Sequence, residues 1–127
     1  MSVAIPSRPT LRFGRIAPTL PVTDIDRALA FYVDVLGFTK TFENGTPVGF
    51  VILKKDAAEL HLSLHPAHKP STQNLAHLLV DDATALHDHL DQAGIRIIKS
   101  LRDADYGLRG FVFADQDGNR IDVGQRL

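Results

Sequence analysis

The chain contains no cysteine. That excludes disulfides, thiolate nucleophiles, cysteine-held zinc and iron–sulfur clusters. The same absence fits a cytoplasmic chain. Tryptophan is also missing, and aromatic residues make up only 7%, so few flat side chains are available to stack on a ligand. Neither sign of charge is in excess: 14 Lys+Arg face 15 Asp+Glu, for a formal net charge of −1. Such a balance gives no electrostatic reason to expect nucleic acid or an anionic membrane as partner. Apolar runs extend only a few residues, far short of the roughly 20 needed to cross a bilayer as a helix. The opening MSVAIPSRPT carries two prolines and no apolar stretch of the signal-peptide kind. The first dozen residues are expected to form a loose arm.

What is present is ordinary globular material. With 127 residues, of which 44% are hydrophobic, the chain suffices for one domain, or for two half-modules sharing a core. Thr23 or Asp24 can cap a helix whose apolar residues Ile25, Ala28, Leu29, Tyr32, Val35 and Leu36 fall three and four apart. Gly37 supplies a left-handed stop. A second helix starts after Asp81 or Asp82, carries Ala83, Leu86, Leu90 and Ala93 on one face, and ends at Gly94. The remainder reads as strands: 16–22, 38–43, 48–53, 59–65, 75–80, 95–101, 110–114 and 120–124. Asn44-Gly45, Lys55-Asp56 and Asp117-Gly118 mark turns between them.

The order is therefore strand, helix, three strands, and then the same again. Val22-x-Asp24 leads into a helix ending Leu36-Gly37-Phe38, as Val80-Asp81-Asp82 leads into one ending Ala93-Gly94-Ile95. Two half-chain modules cannot each bury a sheet alone, so they should pack together. The expected division is module one over about 14–65, a Pro- and His-rich linker over 66–73, and module two over about 74–125, all in a single domain. The predicted class is α+β: two βαβββ modules in tandem forming a concave half-barrel, whose hollow face is a natural ligand site.

Three stretches, "LPVTDIDRALAFYVDVLGF" (20–38), "AELHLSLHP" (58–66) and "YGLRGFVFADQDGNRIDV" (106–123), carry a resemblance. Together they resemble the vicinal oxygen chelate superfamily, which includes glyoxalases, dioxygenases and bleomycin resistance proteins. Gln116 stands where the family's Asp-Pro-Asp-Gly-Asn tail has proline. In the metal-dependent members the ligands are His, Gln or Glu on strands facing one cup. The matching positions here are Ala17, Leu75, a position near His61, and Asp122. Alanine and leucine cannot coordinate, and two donors are too few for the three or four that a protein-held first-row metal needs. By resemblance the chain stands nearest the bleomycin resistance branch, which binds its ligand without a catalytic metal. The resemblance implies a small-molecule-binding and sequestering protein with no cofactor, no metal and no catalytic residue. It also implies a homodimer with sites between subunits, sometimes with modules exchanged. The alternatives are a metal-dependent glyoxalase- or dioxygenase-like enzyme using His61, His77 and Asp122, and an interaction module with no small-molecule role.

Other residues are weighed on geometry. His61 and His65 are four apart in a strand, ~13 Å at the usual rise, and cannot share an ion. His87 and His89 point to roughly opposite sides of a helix. Leu60, Leu62 and Leu64 share one strand face, Glu59, His61 and Ser63 the other. His77 shares a face with Leu75 and can line the cup or sit inert at the seam between modules. His61 with Asp122 could form an acid–base pair, or Asp122 could meet an arginine such as Arg109 or Arg120. Phe50, Tyr106 and Phe111 are candidates for the cup wall or for plain core, with Tyr106 on a loop that can close over a ligand. The candidate ligand-binding set is thus His61, Asp122, Tyr106, Phe50, Phe111, His77 and Arg109. Bleomycin-class compounds are cationic, and a near-neutral chain does not single them out.

Overall fold

A computed structural model of the chain describes residues 3–127. Residues 3–16 are extended, without regular structure, and exposed throughout. This is the expected arm, apart from its first two residues, which lie outside the described range. β1 (Thr19–Val22) leads into α1 (Ile25–Leu29), which continues as a π-helical turn over Ala30–Val35. Asp24 caps α1 by accepting from the Arg27 amide at 3.0 Å. The π turn shows in the Leu36 amide, which donates to the Phe31 carbonyl five residues back. Within it the neighbouring aromatics Phe31 and Tyr32 are both buried. The apolar stripe is therefore wider than a strict 3.6-residue period predicts. Gly37, at φ +85°, ends the helical segment in the left-handed region that a Cβ would disfavour.

β2 (Thr39–Asn44), β3 (Phe50–Lys55) and β4 (Ala58–Leu64) complete the first unit. Its sheet has the order β1-β4-β3-β2, with β1 parallel to β4 and the other pairs antiparallel. The second unit repeats the plan with β5 (Asn74–Leu79), α2 (Ala83–Gln92), β6 (Ile97–Asp103), β7 (Leu108–Ala114) and β8 (Arg120–Arg126). Its order is β5-β8-β7-β6, again with one parallel pair at β5 and β8. Two four-stranded sheets and two short helical segments make an α+β fold of tandem modules, as the spacing predicts.

One face of each sheet is core. Leu20, Val22, Val51, Leu53, Leu60 and Leu62 are buried in sheet one, and Phe111, Phe113, Ile121 and Val123 in sheet two. The Phe31 ring reaches Phe113 across the two units, with centroids 5.9 Å apart. The junction is also tied by a buried polar cluster. Asp115 accepts from the Tyr32 hydroxyl (2.7 Å) and from the Asp117 and Asn119 amides (2.8 and 2.9 Å). Asn119, fully buried, donates its side-chain amide to the Pro21 carbonyl at 2.8 Å. The Thr23 amide and hydroxyl both donate to Asp117. Burial, reinforced by the adjacent Asp115 carboxylate, pushes the Tyr32 phenol well above its usual pKa, so it remains a donor. Hence the Asp-Gln-Asp-Gly-Asn tail is a clamp between modules. Gln116 takes part, donating to Asp117 at 2.9 Å.

Candidate functional site

With one face of each sheet buried, the side chains on the opposite face are left to meet solvent or ligand. On sheet one these are Phe50 and Ile52 of β3 and Glu59, His61 and Ser63 of β4, set opposite one another by the register Phe50–Ser63 and Ile52–His61. The Phe50 ring stands edge-on to His61 at 5.4 Å and to Phe42 at 6.3 Å. His61 bonds through Nε2 to Glu59 at 2.7 Å. Glu59 also meets Arg15 at 3.2 Å and Lys54 at 3.6 Å. The His61 hydrogen bond, aided by Lys54 and Arg15, holds the Glu59 carboxyl below its usual range against the opposing effect of burial.

On sheet two the exposed side holds a defined hollow of about 220 Å³. Its floor is Gly110 and Val112 of β7 with Asp122 and Gly124 of β8. His77 enters from β5, Lys99 and Arg102 from β6, and Tyr106 and Leu108 from the hairpin that closes one end. His77 and Asp122 are register partners on parallel strands, and His77 Nδ1 lies 2.8 Å from Asp122 Oδ2. A carboxylate oxygen accepts, so in this contact Nδ1 donates, and the Nε2 edge of the ring lies over Gly124. The glycine at 124 makes room for that ring: a Cβ there would lie 2.9 Å from His77 Cε1. Gly110 is the more strictly required, because a Cβ there would collide with the backbone carbonyl oxygen of Val123, which cannot swing aside as a side chain can.

Several expectations change on this geometry. His61 and Asp122 are not a pair. They stand on different sheets, His61 with Glu59 and Asp122 with His77. Nor does Asp122 meet an arginine. Arg109 binds Asp103 through both Nε and a terminal nitrogen at 2.7 and 3.2 Å. It shares strand parity with Phe111 and therefore lies on the helix side of the sheet, not in the hollow. That bond, with the charge of Asp103, lifts Arg109 above its usual pKa and lowers Asp103. Phe111 is 2% exposed, and its ring packs edge-on to His87 of α2 at 5.3 Å. It is among the residues bordering the hollow, but its side chain is buried in the core. His77, Asp122 and Tyr106 do line one hollow. Phe50 and His61 occupy the corresponding face of sheet one. The residue types alone did not point to Lys99, Arg102, Gly110 and Gly124.

Ala17 precedes β1, and Leu75 sits on β5 two residues before His77. Neither offers a donor atom. Among the described residues, no three His, Asp or Glu side chains gather as metal ligands would. The donors on the two sheets come as separate pairs, a set that does not fit a protein-held first-row metal. No helix among the described residues is long and apolar enough to cross a membrane.

The profile of the Glyoxalase/Bleomycin resistance protein/Dioxygenase superfamily matches residues 12–123. The chain belongs to this superfamily. Among solved structures of the superfamily's fold, a member from Sphaerobacter thermophilus is 26% identical, with 91% of this chain and 100% of that chain covered and a TM-score of 0.77. A bleomycin resistance determinant encoded on the transposon Tn5 is 25% identical, over 90% of this chain and 98% of that chain, also with a TM-score of 0.77. A bleomycin-binding protein complexed with bleomycin is 26% identical, over 91% and 100% of the two chains, with a TM-score of 0.76. No curated protein matches the sequence. The tandem βαβββ plan, the clamp at 115–119 and the hollow on sheet two are thus features of a superfamily member.

Proposed function

We propose that this protein is a metal-independent small-molecule-binding and sequestering protein, working as a homodimer. The observation that carries the reading is the hollow on sheet two. It is walled by convergent polar groups, yet among the described residues the potential metal donors in it that touch are the two of the His77–Asp122 pair. Such a surface orients a guest by hydrogen bonds and shape and leaves an ion under-coordinated. The bleomycin-binding relative, at 26% identity, supports sequestration as the kind of activity. No residue here is assigned a catalytic role.

The homodimer is supported by size and by exposed apolar surface. A hollow of about 220 Å³ is smaller than the roughly 300–1,000 Å³ usual for drug-sized ligands, as expected of a receptacle completed by a second subunit. Phe42 on β2 and Leu75 and Leu79 on β5 are exposed, as are Leu11, Phe13 and Ile16 of the arm. These are the exposed apolar side chains that a second subunit would cover. Sheet one of one subunit, bearing Phe50 and His61, would then face sheet two of the other. A chain without cysteine would keep this activity in the reducing cytoplasm.

The test combines metal analysis with mass. Protein dialysed against chelator and then offered Ni²⁺, Mn²⁺ or Zn²⁺ is expected to retain none in stoichiometric amount. Native mass spectrometry is expected to show a dimer that retains small organic adducts. Tight uptake of one metal equivalent per chain would overturn the reading in favour of a metal-dependent lyase or dioxygenase-like enzyme.

A further inference from the structure

The walls of the hollow are opposite in sign to the chain. The whole sequence has slightly more acidic than basic residues, yet the side chains lining the hollow include two cations, Lys99 and Arg102, and one carboxylate, Asp122. That carboxylate is already engaged by His77 at 2.8 Å. The one acid of β6, Asp103, is bound to Arg109 on the far side of the sheet. Among the described residues, Lys99 and Arg102 have no ion-pair partner. They reach the same side because β6 shifts register against β7 between Ile97 and Lys99 and again between Lys99 and Arg102. The shifts set Lys99 opposite Val112 and Arg102 opposite Gly110, the two β7 residues of the floor. Gly110 projects no side chain toward either. Tyr106, 77% exposed, overhangs the same end with an aromatic ring.

We infer that the hollow on sheet two takes a ligand carrying an aromatic or amphipathic body and an anionic group, a carboxylate or sulfonate, which Lys99 and Arg102 receive while Tyr106 covers the apolar part. This rests on the reading of the protein as a small-molecule binder and specifies the ligand class for that site. The physical argument is selection by sign. Two unpaired cations in a concave wall attract an anion and repel a cation. The planar fork of Arg102 matches a carboxylate or sulfonate. The His77 ring lies in the same wall.

The experiment compares two fluorescent probes with nearly the same rings, 8-anilinonaphthalene-1-sulfonate and its uncharged analogue N-phenyl-1-naphthylamine, titrated into the full-length protein. The sulfonate is expected to bind about tenfold or more tightly, the scale of one charge-assisted contact, at one equivalent per chain and with weakening in salt. Lys99→Gln with Arg102→Gln is expected to abolish that preference, bringing the sulfonate's affinity down to that of the neutral probe. Equal affinity for both probes, or a sulfonate preference that survives the double substitution, would overturn the anionic class while leaving the binding role intact. Binding of neither probe would overturn both. Circular dichroism of the double variant establishes that it is folded, and Tyr106→Ala, on an exposed loop, is a second variant expected to weaken both probes alike.

Discussion

The two sheets share one topology but leave their open faces in different states. On sheet one the charges satisfy each other: Glu59 gathers His61, Lys54 and Arg15. On the open face of sheet two Asp122 is engaged by His77, and among the described residues Lys99 and Arg102 beside it have no ion-pair partner. Glycines at 110 and 124 keep the sheet-two floor low, whereas Phe50, Ile52 and His61 fill the equivalent face of sheet one. A repeated fold therefore supplies one wall whose polar groups are spent on one another and one whose groups are available to a guest. The lesson is that duplication of a backbone does not duplicate a site. Site character lies in the few side chains that the register brings to the open face.

Removing the clamp that both faces depend on would erase the contrast outright. Asp115→Ala deprives the Tyr32 hydroxyl and two amides of their buried acceptor. A loss of about 3–5 kcal/mol is expected in urea unfolding, the scale for breaking a buried charged network. Sheet two can be altered alone through Gly124→Ala. The added methyl would push the half-exposed His77 ring aside, at a cost of no more than about 1 kcal/mol. The imidazole resonances of His77 should move while those of His61 stay in place.

A smaller effect separates sheet one. The folded pKa of Glu59 lies below its unfolded value, chiefly through the His61 hydrogen bond. Its contribution to stability is therefore present in full above the unfolded value, about 4.3, and fades as pH falls through the lowered folded value. Unfolding midpoints of the Glu59→Gln variant and the parent, followed from pH 6 downward, should converge at the acid end of that range. Parallel curves would show that Glu59 is not held by its neighbours. The smallest shift belongs to sheet two. Lys99→Gln with Arg102→Gln removes charges that pair with nothing, so stability should change by no more than about 0.5 kcal/mol in either direction. A clear destabilisation would mean that these cations serve the fold, and the contrast between the sheets would lose its basis.

The local signals were legible along the chain: a cap at Thr23 or Asp24 and another at Asp81 or Asp82, which the structure narrows to Asp24 and Asp82, Gly37 and Gly94 as stops, the turns at 44–45, 55–56 and 117–118, and the alternation of Leu60 and Leu62 against Glu59 and His61. Each depends on residues a few positions apart, within reach of one turn or one strand. Phe111 and Arg109 were chosen as candidates by residue type, without regard to strand parity on β7. Strand parity puts both on the helix side, with Phe113. Lys99 and Arg102 stayed hidden for a related reason. Three residues apart, they fall on opposite faces of a regular strand, and only the irregular pairing of β6 brings them together.

By itself, the order of residues determined the class of fold, the duplication, and the lack of coordinating atoms at Ala17 and Leu75, because propensity, capping and side-chain chemistry are written locally. Tertiary structure alone decided that Asp122 belongs to His77 across 45 residues of sequence and that Asp115 closes the seam on Tyr32. It also decided which charges remain unpaired. Those outcomes depend on strand register and on packing between modules, and register is fixed only once the whole core has formed.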